Sequence, residues 1–365
     1  MRTTHSDQLQ PTLFATGERH AGRVVALVGE QKDIRYYAAT PRTVLNSPAA
    51  TGMGFWSVNP YVGCAFGCAY CYARYAHRYV AERLATAAQL DGGDALPTDE
   101  LPPWLAFERR IMVKREAPAL LRRALARPGT LGALHRERVV IGTATDPYQP
   151  AERRFRITRG ILEVLAEQSD LGVTIITKSP LVTRDIDVLL RIHERSQLAV
   201  HVSLITVDRE LARLLEPRAP TPEARLRGIA RLRANGIEVG VNAMPVLPGI
   251  TDAPAMIEEL VQAVKAADAS YISACALRLQ STARDRYLPF IAAQFPELAG
   301  RYRRAYARDY QVGERYRAGL RRRFAAVCAK HGVAFGRLNR PEDDEDDETA
   351  LAAARAETAQ LDLPL

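Results

Sequence analysis

Cysteine is scarce in this chain, with five residues among 365. The sequence also lacks an apolar stretch after its first residues, MRTTHSDQ, and it contains no run of eighteen apolar residues. Signal peptides and membrane-spanning helices need such stretches, so we expect neither and predict a cytoplasmic protein without a membrane partner. An odd number of cysteines in a large cytoplasmic chain indicates thiols or metal ligands rather than a disulfide framework.

The formal net charge of +8 is distributed unevenly. Residues 341–365 contain nine acidic residues and one arginine, so the rest of the chain is more basic than the total suggests. A basic body favours a polyanionic partner, and nucleic acid is the first candidate. The alternative is an arginine-rich, solvent-exposed surface with no such partner, followed by an acidic tail that is disordered.

Three of the five cysteines lie within eight residues. Cys64, Cys68 and Cys71 have the spacing C-x3-C-x2-C. Three thiolates at this spacing can hold a [4Fe–4S] cluster through three of its four irons. The fourth iron then has no ligand from the motif, which leaves it open to a cofactor or a substrate. The spacing therefore indicates a chemical role for the cysteines rather than a scaffolding role.

Two other kinds of metal site remain open on the sequence alone. His77 lies six residues after Cys71 and would complete a Cys3His zinc site, although structural zinc sites usually have a second close pair of ligands. Alternatively, Cys275 or Cys328 supplies a fourth thiolate and closes an iron–sulfur cluster. Either site would fit a metal-stabilised nucleic-acid-binding protein, which is the non-enzymatic alternative function.

Short runs of β-branched residues alternate with helical patterns along the chain. We predict strands at 56–58, 139–145, 173–178, 198–204, 237–243 and 272–279. We predict helices at 118–127, at 159–168 with Thr158 as N-cap, and from Thr221–Pro222 to Gly236. Six β/α units predict an α/β fold, a partial (β/α)6 TIM-like barrel with a C-terminal helical extension, and an open doubly wound sheet is the alternative. In either fold, ligands bind at the carboxyl ends of the strands.

The sequence around the cysteines reads NPYVGCAFGCAYCYAR. It resembles the radical S-adenosylmethionine (radical SAM) superfamily, whose defining motif is C-x3-C-x2-C with an aromatic residue before the third cysteine. The flanking NPY and CYAR resemble the branch related to spore photoproduct lyase, and the resemblance extends over residues 57–279. It implies a partial barrel, a [4Fe–4S] cluster, S-adenosylmethionine as cofactor, and a reductase or a flavodoxin- or ferredoxin-type protein as electron donor.

The resemblance also implies a reaction. The amino and carboxylate groups of S-adenosylmethionine chelate the open iron, and the reduced cluster passes one electron to the sulfonium. The C5′–S bond breaks, and the resulting 5′-deoxyadenosyl radical takes a hydrogen atom from a substrate. The expected protein is therefore a radical SAM enzyme with a lyase-like or transferase-like reaction on an unknown substrate.

Some cofactor-binding residues are expected after the second, third and fourth strands. Many radical SAM proteins have Gly-Gly-Glu after the second strand, whereas this chain has GTATDP, so Asp146 or Thr145 is expected to replace that contact. Lys178 is expected to pair with the cofactor carboxylate, because such a hydrogen bond is charge-assisted. Ser203 is expected to contact the ribose or the carboxylate. Each of these residues also has a structural interpretation, as a strand-end or core side chain.

Three further residues are candidates for the site. Tyr70 precedes the third cysteine, where its backbone is expected near the adenine. Asn242, followed by the turn of residues 245–249, is expected to approach the same ring. Spore photoproduct lyase returns a hydrogen atom from a cysteine after the second strand, and GTATDP contains none. Cys275 in the sixth strand is the remaining candidate for such a role, and its alternative is a small core residue.

Arginine and tyrosine are concentrated in a helical segment near the C-terminus. Residues 301–323 contain nine arginines and four tyrosines. The tyrosine spacing predicts amphipathic helices with tyrosines packed inward and arginines in solvent, and the alternative is a nucleic-acid interface. We predict four regions: an N-terminal segment at 1–50, the barrel at 51–280, a helical module at 281–340, and the acidic tail at 341–365.

Overall fold

The structure, a computed structural model, describes residues 27–76 and 101–336. His77, the candidate fourth ligand of a zinc site, lies outside the described residues, and so does the acidic tail of residues 341–365. Within the described parts of the chain, none of the helices is long and apolar enough to cross a membrane.

Strands and helices alternate along most of the described chain. The strands are Leu27–Gln31 (β1), Ile34–Ala38 (β2), Leu45–Asn46 (β3), Trp56–Val58 (β4), Tyr61–Val62 (β5), Arg110–Val113 (β6), Val139–Ile141 (β7), Gly172–Thr177 (β8), Gln197–Ser203 (β9), Glu238–Val246 (β10), Tyr271–Ala276 (β11) and Ala334–Phe335 (β12). The helices are Pro48–Thr51 (α1), Pro103–Arg109 (α2), Ala117–Leu125 (α3), Thr130–Leu134 (α4), Pro150–Phe155 (α5), Ile157–Ala166 (α6), Ile186–His193 (α7), Arg209–Leu215 (α8), Pro222–Arg233 (α9), Pro254–Ala266 (α10), Ser281–Gln294 (α11), Pro296–Ala305 (α12) and Glu314–His331 (α13).

The chain divides into two compact units. The first contains the described residues of Met1–Ala65, Ala73–Thr177 and Arg184–Ala199. It holds a small sheet with the strand order β1-β2-β6-β5 and the part of the main sheet with the order β3-β4-β7-β8-β9. Strands β4, β7 and β8 are parallel, and their register places Val58, Ile141 and Ile175 side by side.

The second unit contains the described residues of Phe66–Tyr72, Lys178–Thr183 and Val200–Leu365. Strand β9 begins in the first unit and ends in the second, where the strand order continues β9-β10-β11-β12. Strands β10 and β11 are parallel, with Asn242 beside Ser273. Helices α11, α12 and α13 follow these strands and form the C-terminal helical extension.

The predicted fold class is confirmed. The six predicted strands correspond to β4, β7, β8, β9, β10 and β11. Within each unit, strands that follow one another in this list are also adjacent in the sheet. Two short strands extend the sheet beyond the prediction: β3 pairs with β4 in the antiparallel direction, and β12 pairs with β11 in parallel. The order of the strands is that of the expected partial (β/α)6 barrel.

The described residues before the cysteines, 27–63, contain strands that the sequence analysis does not predict. Strands β1 and β2 form an antiparallel hairpin, and β2 pairs in parallel with β6, which lies far along the chain. The sequence pattern misses this small sheet because its strands are only five residues or shorter and two of its three pairings, β2 with β6 and β5 with β6, are non-local.

Two helix starts test the predicted caps. Thr221 is the N-cap of α9, since its hydroxyl accepts a hydrogen bond from the Ala224 amide, and Pro222 is the first helical residue. The predicted cap at Thr158 is wrong. The N-cap of α6 is Arg156, and the Thr158 hydroxyl instead donates to the Pro147 carbonyl at 2.5 Å. The Thr158 hydroxyl therefore bonds to the loop that precedes α5 and does not cap α6.

The tyrosines of the C-terminal helices face inward, as their spacing predicts. Tyr302, Tyr306 and Tyr316 are buried. Their hydroxyls donate to the Pro248 carbonyl at 2.7 Å, to the Leu277 carbonyl at 3.0 Å, and to the Asp252 carboxylate at 2.8 Å, respectively. These bonds fasten the helices to the segments that follow β10 and β11. Tyr310 is the exception among the four tyrosines of this segment and is exposed.

Gly240 in β10 allows two side chains from the strands on either side of it to meet. The Tyr271 hydroxyl lies 2.5 Å from Nε2 of the His201 ring, and both residues are buried. A Cβ atom on Gly240 would overlap the Tyr271 ring. The absence of a side chain is therefore required for the Tyr271–His201 contact, which crosses a glycine in the middle strand.

We expect Gly240→Ala to lower the free energy of unfolding by about 1–3 kcal/mol, because the added methyl group must displace the Tyr271 ring from a packed interior. Urea unfolding of the purified protein measures the change. Gly132→Ala is the matched control, since a Cβ atom at Gly132 in α4 would meet nothing within 4 Å. Equal effects of the two substitutions would contradict the packing described for Gly240.

Candidate active site

The three motif cysteines lie on an irregular loop that follows β5 and precedes the 3-10 turn Tyr72–Tyr75. Gly63 opens the loop with φ of +86°, and a Cβ atom there would lie 2.7 Å from the Phe107 carbonyl oxygen. Glycine is needed at this position because both the backbone conformation and the close approach disfavour a side chain. The approach lets the Cys64 amide donate to the Phe107 carbonyl at 2.9 Å.

The first part of the cysteine loop is hydrogen-bonded to the segment after β7. The Gly63 carbonyl accepts from the Thr145 hydroxyl at 2.6 Å and from Nε2 of Gln149 at 3.0 Å. Oε1 of Gln149 accepts from the Ala65 amide at 3.0 Å. Thr145 and the fully buried Gln149 thus hold the backbone on both sides of Cys64, a role that the sequence pattern does not indicate for either residue.

Asn59, the first residue of the NPY flank, is hydrogen-bonded through both its side chain and its backbone carbonyl. Its amide Nδ2 donates to the Thr143 hydroxyl at 3.0 Å, and its Oδ1 accepts from the Ala144 amide at 2.9 Å. Its backbone carbonyl accepts from Nζ of Lys114 at 2.8 Å. Burial lowers the pKa of Lys114 to about 7, so the lysine is held where its charge is costly. Asn59 therefore connects the ends of β4 and β7 through side-chain contacts.

Asp146 lies at the predicted strand end and is buried. Its Oδ1 accepts from the Tyr148 amide at 2.9 Å and from the Thr177 hydroxyl at 2.7 Å. The carboxylate thus orders the turn after β7 and contacts the end of β8. Its assignment as the replacement for the Gly-Gly-Glu contact stays a prediction.

The second part of the cysteine loop, in the second unit, is held by the end of α8. The Ala69 amide donates to the Leu215 carbonyl at 2.9 Å, and the Arg218 amide donates to the Phe66 carbonyl at 3.2 Å. Within the loop, the Cys71 amide donates to the Cys68 carbonyl at 3.3 Å. The residues just after α8 therefore fix the backbone that carries Cys68 and Cys71.

Glu216 is the centre of a buried ionic network beside this loop. Its carboxylate accepts from the Tyr70 hydroxyl and from Arg225, and Nζ of Lys178 lies 3.6 Å from it. The side chain of Glu216 is fully enclosed, and that of Arg225 is almost so. Lys178 also lies over the Tyr70 ring, 5.7 Å from its centroid. Two cations thus share one buried carboxylate.

Burial and charge act in opposite directions on Glu216. Burial disfavours its carboxylate form, but Arg225 and Lys178 together outweigh that effect and lower the pKa of Glu216. Tyr70 stays a neutral donor, because burial and the Glu216 charge raise the pKa of Tyr70 well above its usual value. The network therefore consists of an ionised Glu216, two cations and a neutral tyrosine.

The network joins two of the predicted cofactor-binding residues and reaches a third. Tyr70 and Lys178 contact Glu216 directly, and Arg225 donates to the Ser203 carbonyl at 3.0 Å. Asn242 lies next to Ser203 in the sheet, as the Leu204 amide donates to the Asn242 carbonyl at 3.0 Å. Sequence reasoning missed Glu216 and Arg225, since neither lies in a motif or at a strand end.

The two remaining cysteines differ in their surroundings. Cys275 in β11 is partly exposed as a residue. Protein atoms packed around its sulfur exclude water and raise the pKa of the thiol. Cys328 in α13 is fully buried, and burial raises the pKa of its thiol to about 12. A thiol that resists ionisation in a helix interior is a poor ligand, so Cys328 fits the core role expected from its helical pattern.

The donor set of the cysteine loop fits an iron–sulfur cluster. Cys64, Cys68 and Cys71 form no disulfide, and two of them are buried. Thiolates are the ligands that such clusters require. Among residues 27–76 and 101–336, no three side chains of His, Cys, Asp or Glu already surround a common metal position. The assignment therefore rests on the chemistry, spacing and irregular backbone of the three cysteines.

We expect Glu216→Gln to destabilise the protein by about 3–5 kcal/mol, because it leaves the buried Arg225 and the partly buried Lys178 without their counter-charge. Chemical denaturation of the variant measures the loss. The matched control is Glu167→Gln, which breaks an exposed ion pair with Arg122 and should change stability much less, because solvent screens that pair. A loss no greater than that of the control would show that the Glu216 network contributes little to the fold.

Comparisons with known proteins agree with the resemblance of the cysteine motif. The chain is 33% identical over 332 residues to the uncharacterized protein Rv2578c of Mycobacterium tuberculosis. The aligned region covers 90% of this chain and 91% of that protein. It is 25% identical over 202 residues to the uncharacterized protein MJ0683 of Methanocaldococcus jannaschii, covering 55% and 64% of the two chains.

A solved structure and a family profile complete the comparison. A mutant spore photoproduct lyase with bound AdoMet and dinucleoside spore photoproduct has a TM-score of 0.50 and 13% identity, and the match covers 91% of this chain and 84% of that one. At this identity the likeness concerns the fold. The profile of the Radical SAM superfamily matches residues 58–264, which span the cysteine loop and strands β7 to β10. The chain therefore belongs to the radical SAM superfamily, whose members use a [4Fe–4S] cluster and S-adenosylmethionine.

Proposed function

We propose that Cys64, Cys68 and Cys71 hold the cluster by three of its irons, and that this radical SAM enzyme takes a hydrogen atom from its substrate. The observation that supports the proposal is the C-x3-C-x2-C loop itself, which is fixed through its backbone by hydrogen bonds to Phe107, Gln149 and Leu215. These backbone bonds fix the positions of the three cysteines along the loop.

When bound, the reduced cluster supplies an electron that cleaves S-adenosylmethionine to methionine and a 5′-deoxyadenosyl radical. The residues of this chain position the reactants. Lys178 is assigned to the cofactor carboxylate because its ammonium group lies over the ring of Tyr70, next to the third cysteine, where it can form a charge-assisted hydrogen bond. Glu216 keeps the lysine close to Tyr70 until that anion arrives.

The other cofactor contacts are assigned by position. Ser203 at the end of β9 is assigned to the ribose or the carboxylate, and Asp146 after β7 to the amino group. The backbone of Tyr70 and the turn after Asn242 are assigned to the adenine. Cys275 is kept as the candidate for hydrogen transfer to or from a substrate radical, because it is a partly exposed thiol at the end of β11.

Enzymes of this superfamily need an electron donor. For this enzyme we propose a reductase or a flavodoxin- or ferredoxin-type protein in the cytoplasm. The proposed regions are the barrel at 51–280 and the helical module at 281–340, with the segment before residue 51 and the tail after residue 340 outside the catalytic part.

A nucleic-acid substrate is supported by the surface of the helical module. Arg304, Arg308 and Arg317 line a groove of about 540 Å³, and Tyr310 beside it is 40% exposed. Exposed arginines bind phosphates, and an exposed aromatic ring can stack on a base. Asp309 and Glu314 also line the groove, so the arginines are partly offset there. The other tyrosines of the segment have structural roles and cannot take part in stacking.

Anaerobic reconstitution with iron and sulfide should give about four irons per chain. After reduction, the protein should convert S-adenosylmethionine to 5′-deoxyadenosine and methionine, as measured by liquid chromatography. Cys64→Ala, Cys68→Ala and Cys71→Ala should each abolish this cleavage. Cys328→Ala is the control and should retain it, because Cys328 is packed in a helix.

Two results would contradict the proposal. A fully loaded protein that does not cleave S-adenosylmethionine would exclude the radical mechanism. A cluster that is lost in Cys275→Ala or Cys328→Ala would have a fourth protein ligand, and its iron would be closed to the cofactor.

The nucleic-acid proposal predicts binding to single-stranded DNA or RNA that weakens steeply with salt. The double substitution Arg304→Gln and Arg308→Gln should reduce both the affinity and the slope of its salt dependence, as measured by fluorescence anisotropy. Arg227→Gln combined with Arg231→Gln removes the same charge from the exposed face of α9 and serves as the control. Equal effects of both pairs, or no binding at low salt, would exclude this surface as the interface.

A further inference from the structure

One face of β9, β10 and β11 in the second unit is polar, although it lies in the interior. The register pairs Asn242 with Ser273, and the bond from the Leu204 amide to the Asn242 carbonyl places Ser203 on the other side of Asn242. Side chains alternate between the faces of a strand, so these three in-register residues share one face. The opposite face presents aliphatic residues, such as Val241 and Ile272, which are completely buried.

The polar face consists of successive layers. The inner layer is closed, because Tyr271 reaches across Gly240 to the His201 ring. The next layer contains Ser203, Asn242 and Ser273. Cys275 lies two residues beyond Ser273 on the same face, and it is partly exposed, whereas Ser273 is 2% exposed. The face thus becomes accessible in the direction of the carboxyl ends of the strands.

The middle layer has two polar atoms that the protein does not satisfy. Oδ1 of Asn242 and Oγ of Ser273 are buried and have no hydrogen-bond partner within the described residues. The two side chains are 5% and 2% exposed. Buried polar atoms without a partner destabilise a fold, and native proteins keep few of them. Two on adjacent strands, about 4.8 Å apart in the sheet, indicate a ligand that satisfies both.

The chemistry of the layer restricts the ligand. Asn242 Oδ1 accepts a hydrogen bond, and the Ser273 hydroxyl can donate one. Serine and asparagine carry no fixed charge, so the middle layer itself offers nothing to neutralise a phosphate or a carboxylate. The charge of Arg278 acts on Cys275, at the outer margin of the face. A neutral group with an N–H donor next to a carbonyl acceptor matches the pair, as in an amide or a lactam.

We propose that Asn242 and Ser273 form a substrate subsite that binds a neutral amide-type or lactam-type edge, with Cys275 at its outer margin. The Asn242 side chain is thereby assigned to the substrate, and the adenine is left to the backbone of Tyr70 and the turn of residues 245–249. The subsite rests on the proposed function for its chemical context, since a radical enzyme must hold the reacting group close to its cofactor. Its tests need no turnover, so failure of the subsite and failure of the radical mechanism are distinguishable.

The first test asks whether Ser273 serves stability or binding. We expect Ser273→Ala in the full-length reconstituted protein to keep or raise the melting temperature, because it removes a buried hydroxyl that has no partner. Ser270→Ala, just before β11, is the matched control. A melting temperature that falls by more than about 3 °C relative to the control would mean that the hydroxyl is satisfied within the protein, and would overturn the subsite.

The second test uses uridine as a lactam probe and the Cys275 thiol as a reporter. Uridine should slow alkylation of Cys275 by iodoacetamide severalfold, as followed by peptide mass spectrometry. 3-Methyluridine, which lacks the N–H donor, and inorganic phosphate should not slow it. The protection should disappear in Ser273→Ala and persist in Ser270→Ala.

Each alternative result of the second test contradicts the proposal. Equal protection by uridine and 3-methyluridine would mean that the N–H group is not recognised. Protection by phosphate would mean that the subsite is anionic in its preference. No protection by uridine, or protection that persists in Ser273→Ala, would place the ligand elsewhere.

Discussion

The buried carboxylate of Glu216 is the constraint on which the second unit depends. It holds Arg225, Lys178 and the Tyr70 hydroxyl, and these three groups belong to a helix, a strand end and the cysteine loop. Removing water from one anion and two cations is costly, so the arrangement is stable only while every member is present. The same carboxylate thereby keeps a lysine beside the loop that carries Cys68 and Cys71.

The part of the structure that could be predicted is the part that is encoded locally. The cysteine spacing, the six β-branched strands and the Thr221 cap depend on residues a few positions apart, and the fold confirms the strands and the cap. Glu216 could not be predicted, because its partners at 70, 178 and 225 meet only in the folded chain. The same reason explains why the sequence did not indicate the β1-β2-β6-β5 sheet or the alternative bond of Thr158.

The tyrosines and the arginines of the C-terminal helices have different structural roles. Tyr302, Tyr306 and Tyr316 are anchors whose hydroxyls reach the segments after β10 and β11, while six of the nine arginines between residues 301 and 323 are exposed. An aromatic ring with a polar tip can fill a core and still bond to a backbone carbonyl. The segment is therefore anchored through its tyrosines to the residues that follow β10 and β11, and most of its arginines face solvent.

The central claim is that three cysteines leave one iron open to S-adenosylmethionine. Electron paramagnetic resonance of the anaerobically reconstituted, reduced protein tests it directly. The account predicts a [4Fe–4S] signal whose g values shift when S-adenosylmethionine is added, because the cofactor joins the coordination of the open iron. A signal that is unchanged by saturating S-adenosylmethionine would contradict the account, since it would mean a cluster whose irons are all closed.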